Sequence, residues 1–164
     1  MIFISCPSGA PGYFRNCMIF SKSFGYALRG VLYVAIMTDE KQKIQLDEIA
    51  EKLTVPRYFL GKIMNKLVKE RILASEKGHK GGFSINDNTM QTSLLKLIKI
   101  TGDNEMFDSC VLRLRKCNSD NPCPLHQEIE TLRTQWHQLL SETTVNDLLK
   151  KDQPDFIKSI ATIS

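Results

Sequence analysis

No apolar run in the chain approaches the roughly 20 residues that a helix needs to span a bilayer, so no membrane segment is expected. The opening apolar stretch, Met1 to Ile4, is too short for a signal-peptide core, and no basic residue precedes it. The expected location is therefore the cytoplasm. There is no Gly-rich phosphate loop, no nucleophile–base pair and no pair of catalytic carboxylates in the pattern, so an enzyme is not expected. Internal repeats and low-complexity tracts are absent. Cysteine is sparse, at five residues in 164, and no two are spaced as the CxxC knuckle common in structural zinc sites. In a reducing compartment such cysteines are free thiols or metal ligands rather than disulfides.

What is present describes an ordinary globular chain, 42% apolar and 24% charged, long enough to bury a core without staples. The net charge of +4 says little about partners, but its distribution says more. Between Arg57 and Lys80 stand seven cations (Arg57, Lys62, Lys66, Lys69, Arg71, Lys77, Lys80) and two anions (Glu70, Glu76), an excess larger than that of the entire chain. Such a patch is the electrostatic footprint of phosphate binding, although a charge run is also what a solvated face looks like.

Phe24, Ala27, Leu28, Val31, Leu32, Ala35 and Ile36 recur at helical spacing, with Ser21 or Ser23 placed to cap the start. Leu46, Ile49, Ala50 and Leu53 give a short second helix, capped by Asp47 or a neighbour. Thr54-Val55-Pro56 forms a tight corner, and Pro56 suits the first turn of a third helix marked by Phe59, Leu60, Ile63, Met64 and Leu67. Ile72 to Glu76 and Phe83 to Ile85 alternate like strands around Gly78-His79-Lys80-Gly81-Gly82. A fourth helix covers about Thr92 to Ile100 and ends near Gly102. Leu125, Ile129, Leu132, Trp136 and Leu139 are spaced 4, 3, 4, 3, the seam of a coiled coil. A short helix from about Thr144 to Lys150 follows.

Two short helices joined by a three-residue corner fit a helix-turn-helix, and the hairpin after them fits a wing, so residues 46–86 read as a DNA-reading unit. The third helix turns Arg57, Tyr58, Lys62, Asn65, Lys66 and Lys69 outward, where phosphates and base edges can be met. Lys77, His79 and Lys80 bring charge to the hairpin tip, whose glycines allow close backbone approach. The competing reading is a small α+β domain that uses this surface for protein contacts.

Cys110, Cys117 and Cys123 form a C-x6-C-x5-C array, with His126 three residues after the last cysteine. Three thiolates and an imidazole could hold an iron–sulfur cluster or a structural Cys3His zinc, and they could equally be plain reduced thiols. The missing CxxC knuckle tilts the choice toward a cluster. His137 reads as exposed helix surface, and Cys6 and Cys17 have no assigned role.

The stretch LDEIAEKLTVPRYFLGKIMNKLVKERILASEKGHKGGFSI resembles the winged-helix domain of the Rrf-two family of bacterial transcription regulators, which includes the IscR, NsrR and CymR types. MIFSKSFGYALRGVLYVA, from Met18 to Ala35, resembles the family's opening helix, and the likeness runs to about Lys151. The resemblance implies base-reading positions at Tyr58, Phe59 and Lys62. It places Lys77 where the family has a wing arginine, which keeps the charge but loses the planar fork suited to narrow minor grooves. It also implies that Cys110, Cys117 and Cys123 hold an iron–sulfur cluster, with His126 as fourth ligand in the IscR manner, although the first cysteine gap is longer here. The aspartate that some NsrR types supply from the first helix of the other subunit corresponds to Gly25, which has no donor. A two-iron cluster is favoured over a four-iron one. Neutral imidazole alone binds metal, so a histidine ligand makes the site sensitive to protonation.

The expected protein is thus mainly α with a small β-hairpin. Residues 1–17 are a disordered arm or an upstream start artefact, with Met18 a plausible start. Residues 18–102 are the winged helix-turn-helix domain, 103–124 the cysteine-bearing loop, 125–151 the dimerisation helix region and 152–164 a tail. The expected function is a homodimeric repressor of a double-stranded DNA operator, controlled by a cluster that senses redox state, nitric oxide or cluster supply. The alternatives are a cluster-free regulator answering to a partner protein or small molecule, as in the CymR type, one with structural zinc in the loop, and a redox carrier using a winged helix only for protein contacts.

Overall fold

A computed structural model describes residues 20–78, 81–103, 107 and 122–150. Helix α1 spans Lys22–Met37, and its N-cap is Ser21, whose hydroxyl accepts from the Phe24 amide at 3.2 Å. Phe24, Ala27, Val31, Leu32, Val34 and Ala35 are buried, which makes α1 the spine of the core. Tyr33 is buried beside them, and its hydroxyl donates to Glu48 at 3.3 Å. Burial first, and the charge of Glu48 second, push that phenol up to about 12.

Helix α2 (Leu46–Lys52) and helix α3 (Arg57–Lys69) form the helix-turn-helix. The α2 N-cap position is Gln45, with no side-chain cap bond, so Asp47 is not the cap. Asp47 lies in the first turn, where a carboxylate suits the helix dipole, and pairs with Arg57 across the corner. Thr54 closes the corner in the left-handed region, at φ 52°, while Val55 is buried and its amide donates to Ala50 at 3.0 Å. Pro56 stands one position before the first residue of α3.

Strands β1 (Leu73–Glu76) and β2 (Gly82–Ile85) pair antiparallel, with Leu73 opposite Ile85 and Ser75 opposite Phe83. Ile44, just before α2, exchanges two backbone bonds with Phe83, at 2.8 and 2.9 Å, and so ties the wing to the helix-turn-helix. That tie explains Gly82. A Cβ there would lie 2.6 Å from the Ile44 carbonyl oxygen, and backbone cannot swing aside as a side chain can. Gly82→Ala is expected to cost about 2 kcal/mol through loss of the Ile44 bridge, a fall in Tm of roughly 4–8 °C by calorimetry. An unchanged Tm would show that the bridge is dispensable.

Helix α4 (Leu94–Thr101) is capped by Ser93 and ends at Gly102, which takes φ 89°. Helix α5 (His126–Glu142) and helix α6 (Val145–Lys150) complete the fold. Thr144 and Asp147 cap α6 reciprocally: the Thr144 amide donates to Asp147 Oδ2 at 2.9 Å, and the Asp147 amide to Thr144 Oγ1 at 3.2 Å. The core joins α1, α3 and α4, with Leu140 of α5 and Val145 of α6 sealing one end.

Candidate nucleic-acid interface and cysteine loop

Among the described residues, the large hydrophobic side chains left exposed are Tyr58, Phe59, Leu125, Leu132 and Leu139. They fall in two places, the first turn of α3 and one stripe of α5. Contiguous apolar surface that folding leaves uncovered marks a site of interaction.

At the first site, Tyr58 is 74% exposed, and the Lys62 ammonium lies 4.4 Å from its ring centroid. The ring face attracts the cation and holds it over the start of α3. Phe59 and Tyr26 of α1 meet edge to face at 5.9 Å, and the Arg29 guanidinium lies 5.2 Å from the Tyr26 centroid. Tyr26 and Arg29 are not among the expected site residues; a contact between residues more than thirty positions apart leaves no local pattern. Arg57, Asn65, Lys66 and Lys69 are exposed along α3, as expected. Arg57 is already engaged by Asp47, so it enters any DNA contact with a carboxylate to displace. Lys77 is exposed at the end of β1, while His79 and Lys80 lie outside the described residues. The tip glycines also serve the turn itself: Gly78 takes φ 111°.

At the second site, the 4-3-4-3 seam divides in two. Ile129 and Trp136 are half-buried, Trp136 packing on Phe20 of the same chain at 5.3 Å between ring centroids. Leu125, Leu132 and Leu139, seven residues apart, remain 45%, 49% and 57% exposed in a single line.

The cysteine loop is described only at its ends. Asp103 receives hydrogen bonds from Ser21 at 2.6 Å and Thr101 at 3.1 Å, so the loop leaves α4 tied to the cap of α1. Phe107 meets His137 of α5 edge to face at 5.9 Å. At the far end Cys123 is half-buried with a free thiol, and the His126 amide donates to its carbonyl at 2.9 Å. That turn keeps Cys123 and His126 together at the start of α5. Thiolate and imidazole are a donor set that suits zinc or an iron–sulfur cluster. Cys110 and Cys117 lie outside the described residues, and among the described residues no three His, Cys, Asp or Glu gather into a metal-sized group. No helix among them is long and apolar enough to cross a membrane.

The sequence profile of the Rrf2 family, described as iron-dependent transcriptional regulators, matches residues 20–151. An HTH-type transcriptional regulator of Aquifex aeolicus is 35% identical over 138 residues, covering 83% of this chain and 94% of that protein. The HTH-type transcriptional repressor NsrR of Streptomyces coelicolor is 25% identical over 139 residues, covering 80% and 88%. Among solved structures, CymR of B. subtilis, the global cysteine regulator, superposes with a TM-score of 0.67 at 18% identity, covering 83% of this chain and 99% of that one. IscR of T. potens does so with a TM-score of 0.64 at 16% identity, covering 85% and 91%.

Proposed function

We propose that this chain, which belongs to the Rrf2 family of transcriptional regulators, is a homodimeric DNA-binding repressor whose operator occupancy is set by the state of its cysteine loop. The observation that carries the reading is the confinement of exposed large hydrophobics, among the described residues, to the start of α3 and the outer line of α5. A monomer that met neither DNA nor a second copy would have no use for that distribution.

In this reading α3 enters the major groove by its first turns. Tyr58 and Lys62 meet base edges, Phe59 and Asn65 flank them, and Arg57 and Lys66 take phosphates. Lys77, His79 and Lys80 follow the adjacent groove from the wing. Leu125, Leu132 and Leu139 of two chains cover each other, beside the half-buried Ile129 and Trp136. The two-fold axis then offers two α3 helices to a near-palindromic site, about one DNA turn, or 34 Å, apart. Such a protein works in the cytoplasm.

Cys110, Cys117, Cys123 and His126 would hold the cluster, two-iron in first place and four-iron in second. Bound there, it supplies a tie that oxidants, nitric oxide or iron shortage can break. The chain's own residues carry the consequence. Asp103 ties the loop to the start of α1, Phe20 and Trp136 tie that start to α5, and Tyr26 of α1 abuts Phe59 of the reader. Reordering the loop thus biases the placement of α3 through α1, an order–disorder switch at the junction of reader and dimer.

The test pairs metal analysis with gel shifts on protein purified without air. Iron and acid-labile sulfide with a visible absorption band, both lost in Cys123→Ser together with a changed shift of genomic fragments, are expected. Colourless protein with stoichiometric zinc would overturn the cluster. Colourless, metal-free protein that still shifts DNA would favour a regulator answering to a partner protein or small molecule.

A further inference from the structure

The C-terminal end of α3 and the C-terminal end of α4 meet at a shallow groove lined by Lys66, Lys69, Glu70, Lys99 and Ile100. All three lysines are exposed, and none takes part in an ion pair among the described residues. Three ammonium groups around one carboxylate leave the groove positively charged. Lysines near helix C-termini favour the helix dipole, but that role needs no convergence from two helices.

The placement relative to the reader decides what the groove fits. Lys62, Lys66 and Lys69 stand at spacings of 4 and 3 on one face of α3. At 1.5 Å per residue they cover about 10 Å of helix, so the row runs from Lys62 on the base-meeting turns of α3 to the groove. Lys99 extends that row sideways onto α4.

We propose that this groove is a further phosphate-binding site, in which Lys69 and Lys99 hold the DNA backbone beside the bases met by the first turns of α3. The proposal rests on the DNA-reading function above and adds α4 to the contact surface. Its occupant is the sugar–phosphate backbone, because the row is continuous with Lys62 and carries no hydrogen-bonding pattern that reads bases.

The test measures duplex affinity against salt for the full chain and for Lys69→Ala/Lys99→Ala. Removing one phosphate interaction lowers the slope of log K against log salt by about 0.9, so the variant's slope should fall by about 1.8 per subunit bound. The ratio of cognate to scrambled affinity should stay constant, since backbone contacts carry no sequence information. Lys69→Arg/Lys99→Arg should recover the slope. A variant with the parental slope while the parent binds DNA would overturn the groove site alone. A fall in the cognate-to-scrambled ratio would also overturn it, by showing base contact. Failure of the parent to bind any duplex would overturn the DNA-reading function and this site with it.

Discussion

Lys62→Ala is expected to weaken binding of the cognate duplex by about 10- to 100-fold, the worth of one good base contact. The lysine is not a loose surface charge. Its ammonium is held 4.4 Å from the Tyr58 ring, and Tyr58 itself is 74% exposed on the first turn of α3. Both therefore meet a ligand in a prepared arrangement, which spares part of the ordering entropy of a free lysine. Tyr58→Ala should reproduce most of the loss, because the platform goes with the ring, whereas Tyr58→Phe keeps the platform and should cost less. Neither change touches the core, so stability should move by less than about 0.5 kcal/mol in thermal melting. Fluorescence anisotropy with a labelled duplex measures the effect. Parental affinity in both alanine variants would remove the start of α3 from the groove.

For the proposed homodimer, Leu132→Glu/Leu139→Glu is expected to give monomers and to lower apparent operator affinity by more than about 100-fold, since loss of the second reader removes the effective-concentration gain of a two-site ligand. The two leucines are half exposed on one line of α5, while Ile129 and Trp136 of the same helix are half-buried and Leu140 is buried. Burying each leucine against a second copy contributes about 1.5–3 kcal/mol, and two facing carboxylates in its place repel. Sedimentation and anisotropy on one preparation test both parts. A parent that is monomeric, or a variant that remains dimeric, would remove α5 as the interface.

Much of this architecture is legible in the residues. Ser21 caps α1, Val55 plugs the corner, Gly102 ends α4 in the left-handed region, and the hairpin pairs over the expected segments. Each is a local effect: a cap, a small buried plug, a positive φ, a period-2 pattern. What is illegible is non-local. Asp47 has the type of a helix cap yet pairs with Arg57, because the corner brings the two together. The α5 seam reads as one stripe, but Ile129 and Trp136 are half-buried while Leu125, Leu132 and Leu139 stay exposed. No spacing rule distinguishes these, since the burial of Trp136 depends on where Phe20 lies. The Ser21–Asp103 bond joins residues 82 positions apart and has no sequence signal at all. Of the expected metal ligands, Cys123 and His126 stand together at the α5 start, while Cys110 and Cys117 rest on the sequence pattern and the family resemblance.

The proposed dimer, with two copies of α3 reading DNA from the two sides of a dyad, makes a definite demand on the operator. Selection from a randomised duplex library, with the full chain purified without air, measures that demand. The expected result is enrichment of an inverted repeat with half-site centres about 10–11 base pairs apart, and no such enrichment with Lys62→Ala. Recovery of unenriched sequence, or of a single half-site without its repeat, would refute the dyad reader.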